Sequence, residues 1–236
     1  MKIHVEGSED RALVAKFLEA GQGHLFDDWD DLNSRERKDL LEDLTRVDLG
    51  FLQQLINDHL NADPDSTPIA TPTPPPMIDL DDPSREQATQ RGIEALAGGE
   101  VGILLLAGGV GTRLGHAGPK GSFPLLPITG MTLFQFFAES LLRIQKQVGA
   151  AIPWWIMTSP SNHEETVQYF RDHSYHGLNS SDVMILPQEE LPVIDSRRGK
   201  ILRKAPGQVL FSPDGHGGAI RLMQRHAELF RERGIR

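Results

Sequence analysis

The sequence of 236 residues contains no cysteine. Disulfide bridges, zinc sites built on thiolates and cysteine nucleophiles are therefore excluded. Basic residues are also scarce, since 24 Lys and Arg stand against 33 Asp and Glu, a formal net charge of -9. A protein that binds nucleic acid through a broad basic surface is not expected, although a small anionic ligand needs only a few local cations.

Long apolar runs are missing as well. The longest strongly apolar stretch, around Val101 to Ala107, is far too short to span a bilayer. The first residues, MKIHVEGSEDRALV, lack the apolar core of a secretory signal. We therefore expect no membrane partner and a cytoplasmic protein, with a composition typical of one large globular domain or a core domain with a smaller companion.

The first part of the chain predicts helices. Apolar residues recur at helical spacing from Asp10 to about Leu60, which indicates two or three amphipathic helices. The following stretch, NADPDSTPIATPTPPPMIDLDD, contains six prolines and predicts an extended linker. We predict a helical region over residues 1–62, a linker over 63–82 and a catalytic domain over 83–236.

From Pro83 the pattern alternates between helices and strands. The apolar run VGILLL predicts a strand buried on both faces, WWIMTS predicts a second buried strand and VMILPQ predicts a third strand, with amphipathic helices between them. Ser161 and Glu164 have capping-box spacing before one of these helices. The alternation predicts an α/β fold with a doubly wound, mainly parallel sheet, preceded by the helical region.

The last part of the chain adds three elements. VIDSRRGKILRK predicts a hairpin that turns at Arg198 and Gly199, and QVLFS predicts a further strand. A final helix is predicted from about Ala219 to Arg233, with Gly234 as its cap. The histidines of HSYH, residues 173–176, have no carboxylate cluster near them in the sequence, and we assign no metal site to them.

A glycine-rich stretch, LLLAGGVGTRLGHAGPKGSFPL, follows the first of the predicted strands. It does not fit a P-loop, because its lysine follows Pro119 rather than a glycine. It does not fit the dinucleotide fingerprint either, because Gly115 comes one residue too late. The stretch therefore has the composition of a phosphate-binding loop without the two commonest patterns.

The residue types in this loop still favour phosphate binding over a solvated surface turn. Gly108, Gly109 and Gly111 allow positive φ and close backbone approach, so that successive amides can point at phosphate oxygens. Arg113 offers a planar guanidinium for bidentate contact, and Lys120 adds a compact second cation. The loop leaves the carboxyl end of a buried strand, where open α/β sheets bind their ligands.

This loop closely resembles the signature loop of the UDP-sugar pyrophosphorylases. The resemblance is greatest to the eukaryotic-type UDP-N-acetylglucosamine pyrophosphorylases and their UDP-sugar relatives. It extends from about Pro83 to Arg233, because TLFQ, WWIMTS, HEETVQYF, ILPQEELPV, KIL and SPDGHGG match in order and spacing. The resemblance implies a Rossmann-like nucleotidyltransferase fold and a uridylyltransferase activity.

The resemblance also implies roles for individual residues. Arg113 and Lys120 would bind the triphosphate and the transferring phosphate, and Gln188 would read the uracil edge. His216 stands where the acetylglucosamine enzymes have an asparagine that contacts the sugar, so the identity of the sugar is left open. The other nucleotide-binding positions would be Leu106, Ala107, Gly108, Gly109, Gly111, Thr112 and Gly215.

The implied reaction joins UTP to a sugar 1-phosphate, with N-acetylglucosamine 1-phosphate expected first and glucose 1-phosphate or several sugars as the alternative. Mg²⁺ would bridge the phosphates, and its carboxylate ligand would lie beyond residue 236. We therefore expect the N-terminal half of an active enzyme or, if nothing follows, a chain with weak or no UTP binding and no turnover. A nucleotide-binding or scaffolding protein without activity remains the other alternative.

Overall fold

The computed structural model describes residues 3–5, 7–60 and 73–235. The chain forms two compact units, Met1–Thr73 with Glu190–Ser212, and Pro74–Glu189 with Pro213–Arg236. Residues 63–72 of the predicted linker lie outside the described residues, and the predicted domain boundaries stay a prediction. Among the described helices, none combines the length and the apolar character that crossing a membrane would require.

Three helices open the first unit, as the apolar spacing predicts: α1 (Ser8–Glu19), α2 (Ser34–Thr45) and α3 (Leu49–His59). Asn33 caps α2 in a complete capping box with Glu36, and the Asp48 carboxylate caps α3. The apolar faces of the helices close on a buried core that includes Phe17, Leu25, Phe26, Leu40, Leu44 and Ile201.

Residues 190–212 complete the first unit and hold four short strands: β4 (Glu190–Pro192), β5 (Arg203–Ala205), β6 (Gln208–Val209) and all but the last residue of β7 (Phe211–Pro213). β4 pairs with β7, and β5 pairs with β6 in antiparallel register. The single strand predicted for QVLFS is wrong, because the backbone of Leu210 bonds to Leu202 and Val193 and separates β6 from β7.

The predicted hairpin at Arg198 and Gly199 is confirmed. Gly199 has a φ of 62°, and the N–H of Asp195 donates to the carbonyl oxygen of Lys200. The buried carboxamide of Gln22 holds this hairpin against the helices: it donates to the carbonyl oxygen of Gly199 and accepts from the N–H of Ile201, each at 3.0 Å. Both ends of a buried polar side chain are thereby satisfied.

A parallel sheet lies at the centre of the second unit. It contains β1 (Ile103–Leu106), β2 (Trp154–Thr158) and β3 (Val183–Pro187) in the order β1-β2-β3. All five residues of β2 are buried, as the continuous apolar run WWIMT predicts. With the surrounding helices this sheet gives the unit a mixed α/β architecture.

The helices of the second unit are α4 (Arg85–Ala97), α5 (Leu133–Val148), α6 (His163–Asp172), α7 (Gly217–Arg225) and α8 (Ala227–Glu232). They follow or precede the strands as the alternating pattern predicts. The largest core of this unit packs β2 against α5 and α6, through Phe134, Ala138, Leu141, Trp154, Ile156 and Phe170.

Two helix boundaries differ from the sequence prediction. The capping box at Ser161 is wrong, because α6 starts after Asn162 and the Ser161 hydroxyl bonds to that of Ser159 instead. The single final helix is also wrong, since the backbone leaves the helical conformation at His226, between α7 and α8. Gly234 has a φ of 76° just after α8, as the predicted cap requires.

The turn after α6 contains a half-buried imidazole, that of His176. Nε2 of His176 is buried and has no hydrogen-bond partner among the described residues. The neighbouring groups are the rings of Tyr169, Phe170 and His173, at centroid distances of 5.3–6.0 Å. Burial lowers the pKa of His176 below its ordinary value of 6.5, His173 lowers it further, and Glu139 raises it.

This depressed pKa predicts a loss of stability in acid. As the pH falls, His176 binds a proton in the unfolded chain before it does so in the folded protein. The stability contributed by the neutral imidazole is therefore complete above the pKa of the unfolded state, and it is lost as the pH falls through the pKa of the folded state. We expect the unfolding midpoint of the protein to fall more between about pH 7.5 and about pH 5 than that of His176→Asn, since asparagine tolerates the positive φ of this residue. Thermal unfolding followed by circular dichroism measures both.

The control variant is His4→Asn, which changes an exposed histidine. It should keep the pH dependence of the unmodified protein. Equal pH dependence in the unmodified protein and in His176→Asn would contradict the assignment.

Candidate nucleotide-binding site

The candidate site lies at the carboxyl edge of the parallel sheet. The three strands end side by side, with Leu106 paired to Met157 and Thr158 paired to Pro187. The glycine-rich loop follows β1, a polar turn at residues 159–162 follows β2, and Gln188 follows β3. Ligands of open α/β sheets bind at this edge because successive polar loops converge there.

The glycine-rich loop folds back on itself as an irregular hairpin. The N–H of Gly111 donates to the carbonyl oxygen of Gly118, and the N–H of Lys120 donates to that of Gly109, each at 3.1 Å. Between these arms, Thr112–Leu114 forms a tight turn that ends at Gly115. The fold of the loop therefore brings Lys120 back beside the first glycines.

Gly108 and Gly111 of the loop serve close approach rather than positive φ. Gly108, Gly109 and Gly111 do not have positive φ, which corrects that part of the expectation, whereas Gly115 has a φ of 66°. A Cβ on Gly108 would lie 2.8 Å from Nε2 of Gln188. A Cβ on Gly111 would lie 2.8 Å from the Cβ of His116, so a side chain at either position would have to displace its neighbour. A Cβ on Gly109, by contrast, would meet only Cδ of Lys120, at 3.9 Å.

Gln188 contacts the glycine loop directly. The side chain of Gln188 is buried, and its Nε2 lies against Gly108. The backbone N–H of Gln188 donates to the carbonyl oxygen of Thr158 at 2.7 Å. Oε1 of Gln188 is buried without a hydrogen-bond partner among the described residues. A buried acceptor in this state costs about 1–3 kcal/mol, which a ligand that donates a hydrogen bond would recover.

The two cations of the loop are available to an anion. Arg113 and Lys120 are both exposed, and neither pairs with a carboxylate within the described part of the chain. The N–H groups of Gly108 and Gly109 likewise donate to no described residue. Free amides and cations along one loop form a cradle that suits phosphate oxygens.

The remaining predicted positions of the loop differ in exposure and in whether their backbone N–H is already used. Leu106 ends β1 with 39% of its surface exposed, and Thr112 is exposed at the start of the tight turn. The N–H of Ala107 is used within the sheet, where it donates to the carbonyl oxygen of Met157 at 2.7 Å. The N–H of Gly111 is used within the loop.

The motif SPDGHGG lies beside the end of β3. The N–H of Asp214 donates to the carbonyl oxygen of Glu189 at 3.2 Å, which ties the motif to the residue after Gln188. The Asp214 carboxylate is nearly buried and pairs with Arg221 of α7. Gly215 and His216 are exposed just before α7, where they face solvent.

Asn162 is a residue of this site that sequence reasoning missed. Its side chain is 1% exposed, and its Nδ2 donates to the carbonyl oxygens of Ala107 at 2.9 Å and Gly109 at 3.2 Å. Its Oδ1 accepts from the N–H and the hydroxyl of Ser159. Asn162 therefore clamps the start of the glycine loop to the end of β2, and its position just after a buried parallel strand was the available signal.

A cluster of metal-ligating side chains is not found within the part of the chain that the structure describes. Within that part, no group of three or more His, Cys, Asp or Glu side chains could hold a metal ion. Two acidic residues of the matching motifs are already paired, Asp214 with Arg221 and Glu189 with Arg225. The Mg²⁺ ion and its carboxylate ligand stay a prediction.

Comparison with known proteins gives a consistent result. The family described as UTP–glucose-1-phosphate uridylyltransferase matches residues 51–232. UDP-N-acetylglucosamine diphosphorylase 2 of Arabidopsis thaliana is 34% identical over 97% of this chain and 49% of its own length. UDP-N-acetylglucosamine pyrophosphorylase of Saccharomyces cerevisiae is 35% identical over 93% of this chain and 50% of its own length.

The fold comparison agrees with these relatives. The crystal structure of uridine diphosphate N-acetylglucosamine pyrophosphorylase from Trypanosoma brucei, in complex with an inhibitor, superposes with a TM-score of 0.75 at 24% identity. The superposition covers 98% of the present chain and 50% of the Trypanosoma brucei chain. The present chain likewise spans about half the length of the curated relatives. A family match over most of the chain and relatives at 34% and 35% identity show that the chain belongs to the UTP–glucose-1-phosphate uridylyltransferase family.

Proposed function

We propose that this chain binds UTP and forms the UTP-binding part of an enzyme that joins UTP to a sugar 1-phosphate, giving a UDP-sugar and pyrophosphate. The observation that carries the proposal is the buried Gln188 carboxamide, whose Oε1 has no described partner and which lies against the glycine loop. The names of the relatives support the same reaction.

The carboxamide of Gln188 suits a uracil base. Uracil presents an N–H donor beside carbonyl acceptors, and a carboxamide offers one acceptor and two donor hydrogens. Oε1 would accept from the base N–H, which gives the unpartnered oxygen its hydrogen bond. Nε2 would donate to a neighbouring base carbonyl.

The glycine loop would hold the triphosphate. Arg113, Lys120 and the amides of Gly108 and Gly109 provide charge and hydrogen-bond donors without competing partners among the described residues. In the reaction an oxygen of the sugar phosphate bonds to the α-phosphorus, and the bond from that phosphorus to the pyrophosphate oxygen breaks. Such a transfer requires positioning and charge stabilisation rather than a protein nucleophile.

N-acetylglucosamine 1-phosphate is the sugar substrate that the names of the relatives favour. Glucose 1-phosphate is the second candidate, because His216 stands where the resembling acetylglucosamine enzymes have an asparagine. The side chain of His216 is exposed and therefore accessible to a sugar.

Three finer features belong to the same proposal. We propose that the three parallel strands are part of a doubly wound, Rossmann-like nucleotidyltransferase sheet. Mg²⁺ would accompany UTP and bind mainly to its phosphate oxygens, as this ion commonly does. The cytoplasmic location expected from the sequence stays a prediction.

The proposal is tested by titrating the protein with UTP in the presence of Mg²⁺ in a calorimeter. We expect saturable binding, and Arg113→Ala should weaken it about tenfold or more, because a charge-assisted contact to phosphate is lost. Arg143→Ala, which changes another exposed arginine of the same unit, is the matched control and should bind normally. Pyrophosphate release with a panel of sugar 1-phosphates identifies the sugar substrate.

Absence of UTP binding in the unmodified protein at millimolar concentration would refute the proposed function. Normal binding by Arg113→Ala would refute only the role of that residue.

A second prediction separates base recognition from phosphate recognition. Gln188→Leu and Gln188→Glu should each weaken UTP binding about tenfold, because one carboxamide hydrogen bond or more is lost. Binding of inorganic tripolyphosphate should be unchanged in Gln188→Leu, whereas Arg113→Ala should weaken both ligands. Equal loss of UTP and tripolyphosphate in Gln188→Leu would contradict a role in base recognition.

A third prediction concerns Asn162. Asn162→Ala should lower the free energy of unfolding by about 2–3 kcal/mol, because it leaves buried polar groups without partners. UTP affinity should also fall while the protein is still folded, since the carbonyls of Ala107 and Gly109 lose their donor. Urea unfolding and calorimetry measure the two effects.

Asn162→Asp distinguishes the hydrogen bonds that Oδ1 of Asn162 accepts from those that its Nδ2 donates. It retains an acceptor for Ser159 but places an oxygen opposite two carbonyl oxygens, so UTP affinity should fall at least as much as in Asn162→Ala. Unchanged affinity in both variants would mean that the clamp has no effect on the loop.

A further inference from the structure

The imidazole of His116 lies inside the glycine-rich loop, between its two arms. Its Nε2 is 2.8 Å from the hydroxyl oxygen of Ser122, and its ring meets the ring of Phe123 edge-on at a centroid distance of 5.7 Å. Its backbone N–H donates to the carbonyl oxygen of Gly111. The side chain therefore joins the turn of the loop to the segment that follows Lys120.

The hydrogen bonds assign the proton on the ring. The Ser122 hydroxyl is 2.8 Å from the carbonyl oxygen of Pro119, and since a carbonyl can only accept, the hydroxyl hydrogen is used there. The oxygen of Ser122 can then only accept from His116, so Nε2 carries a hydrogen.

The hydrogen-bond chain ends at the peptide that carries Lys120. Pro119 accepts from both the hydroxyl and the N–H of Ser122, and it immediately precedes Lys120. The N–H of Lys120 donates to the carbonyl oxygen of Gly109 at 3.1 Å. The backbone of Lys120 is thus fixed on one side by His116 through Ser122, and on the other by Gly109.

Two glycines leave the space that this imidazole fills. A Cβ on Gly111 would lie 2.8 Å from that of His116, and a Cβ on Gly118 would lie 3.1 Å from Nε2. Gly111 and Gly118 also bond to each other across the arms. These two glycines therefore accommodate a ring that braces the loop from inside, which their sequence pattern alone does not indicate.

We propose that His116 is a positioning residue of the phosphate site. Through Ser122 and Pro119 it holds Lys120 where its ammonium group and the amide of Gly109 meet the same triphosphate, and this step rests on the proposed UTP binding. His116 itself touches no phosphate. Its hydrogen bond keeps the cradle assembled before the ligand arrives, which lowers the ordering cost of binding.

Affinity measurements test the role in binding. His116→Leu and Ser122→Ala should each weaken UTP and inorganic tripolyphosphate about threefold to tenfold, the effect of one lost hydrogen bond. The double variant should lose no more than either single variant, because both remove the same chain of bonds. His116→Gln, which retains a terminal N–H donor, should recover most of the affinity.

Amide hydrogen exchange tests the brace without any ligand. Exchange of the Lys120 amide should be about threefold to tenfold faster in His116→Leu and Ser122→Ala than in the unmodified protein, because the loop opens more often. The Ala107 amide, which is bonded within the sheet, should be unchanged. Nitrogen NMR of the neutral ring should show the proton on Nε2.

The outcomes separate this inference from the proposed function. If the unmodified protein does not bind UTP, the proposed function fails, while the exchange and NMR data still decide whether the brace exists. An unprotonated Nε2, or an unchanged Lys120 exchange rate, would overturn the brace. Equal acceleration at Lys120 and Ala107 would show general destabilisation instead, and additive losses in the double variant would likewise overturn the proposal.

Discussion

The parallel pairing of β2 with both of its neighbours is the constraint on which the candidate site depends. Because β1, β2 and β3 run in the same direction in a continuous register, their carboxyl ends meet at one edge. Three segments that lie far apart in the sequence become neighbours there. The complete burial of β2 anchors this arrangement, since its side chains are packed on both faces of the sheet.

Buried polar side chains extend this order from the sheet into the loops. Asn162 bonds the start of the glycine loop to the end of β2, and Gln188 lies against Gly108 from the end of β3. His116 and Ser122 then support the far arm of the loop. The exposed cations are thereby carried by a backbone that is fixed at several points, which is how a site becomes ordered before its ligand binds.

The chain leaves this site and returns to it. After Glu189 it contributes residues 190–212 to the first unit, and it re-enters the second unit just before Asp214. The hydrogen bond from Asp214 to Glu189, with the ion pairs of these residues to Arg221 and Arg225, joins the two crossing points. Gln188 and the SPDGHGG motif are consequently adjacent in space although an excursion through the other unit separates them in sequence.

The sequence by itself determined most of the elements and predicted the chemistry of the loop. Apolar periodicity located most helices and the buried strands, and the residue types of the glycine-rich loop predicted phosphate binding by Arg113 and Lys120. The role of Gln188 was implied only by the resemblance to the UDP-sugar pyrophosphorylases. Only the tertiary structure shows why Gly111 must be a glycine and which side chains hold the glycine-rich loop in place. The roles of Gly111, His116 and Asn162 depend on which atoms approach across the fold, and such distances between segments have no local pattern from which they could be predicted.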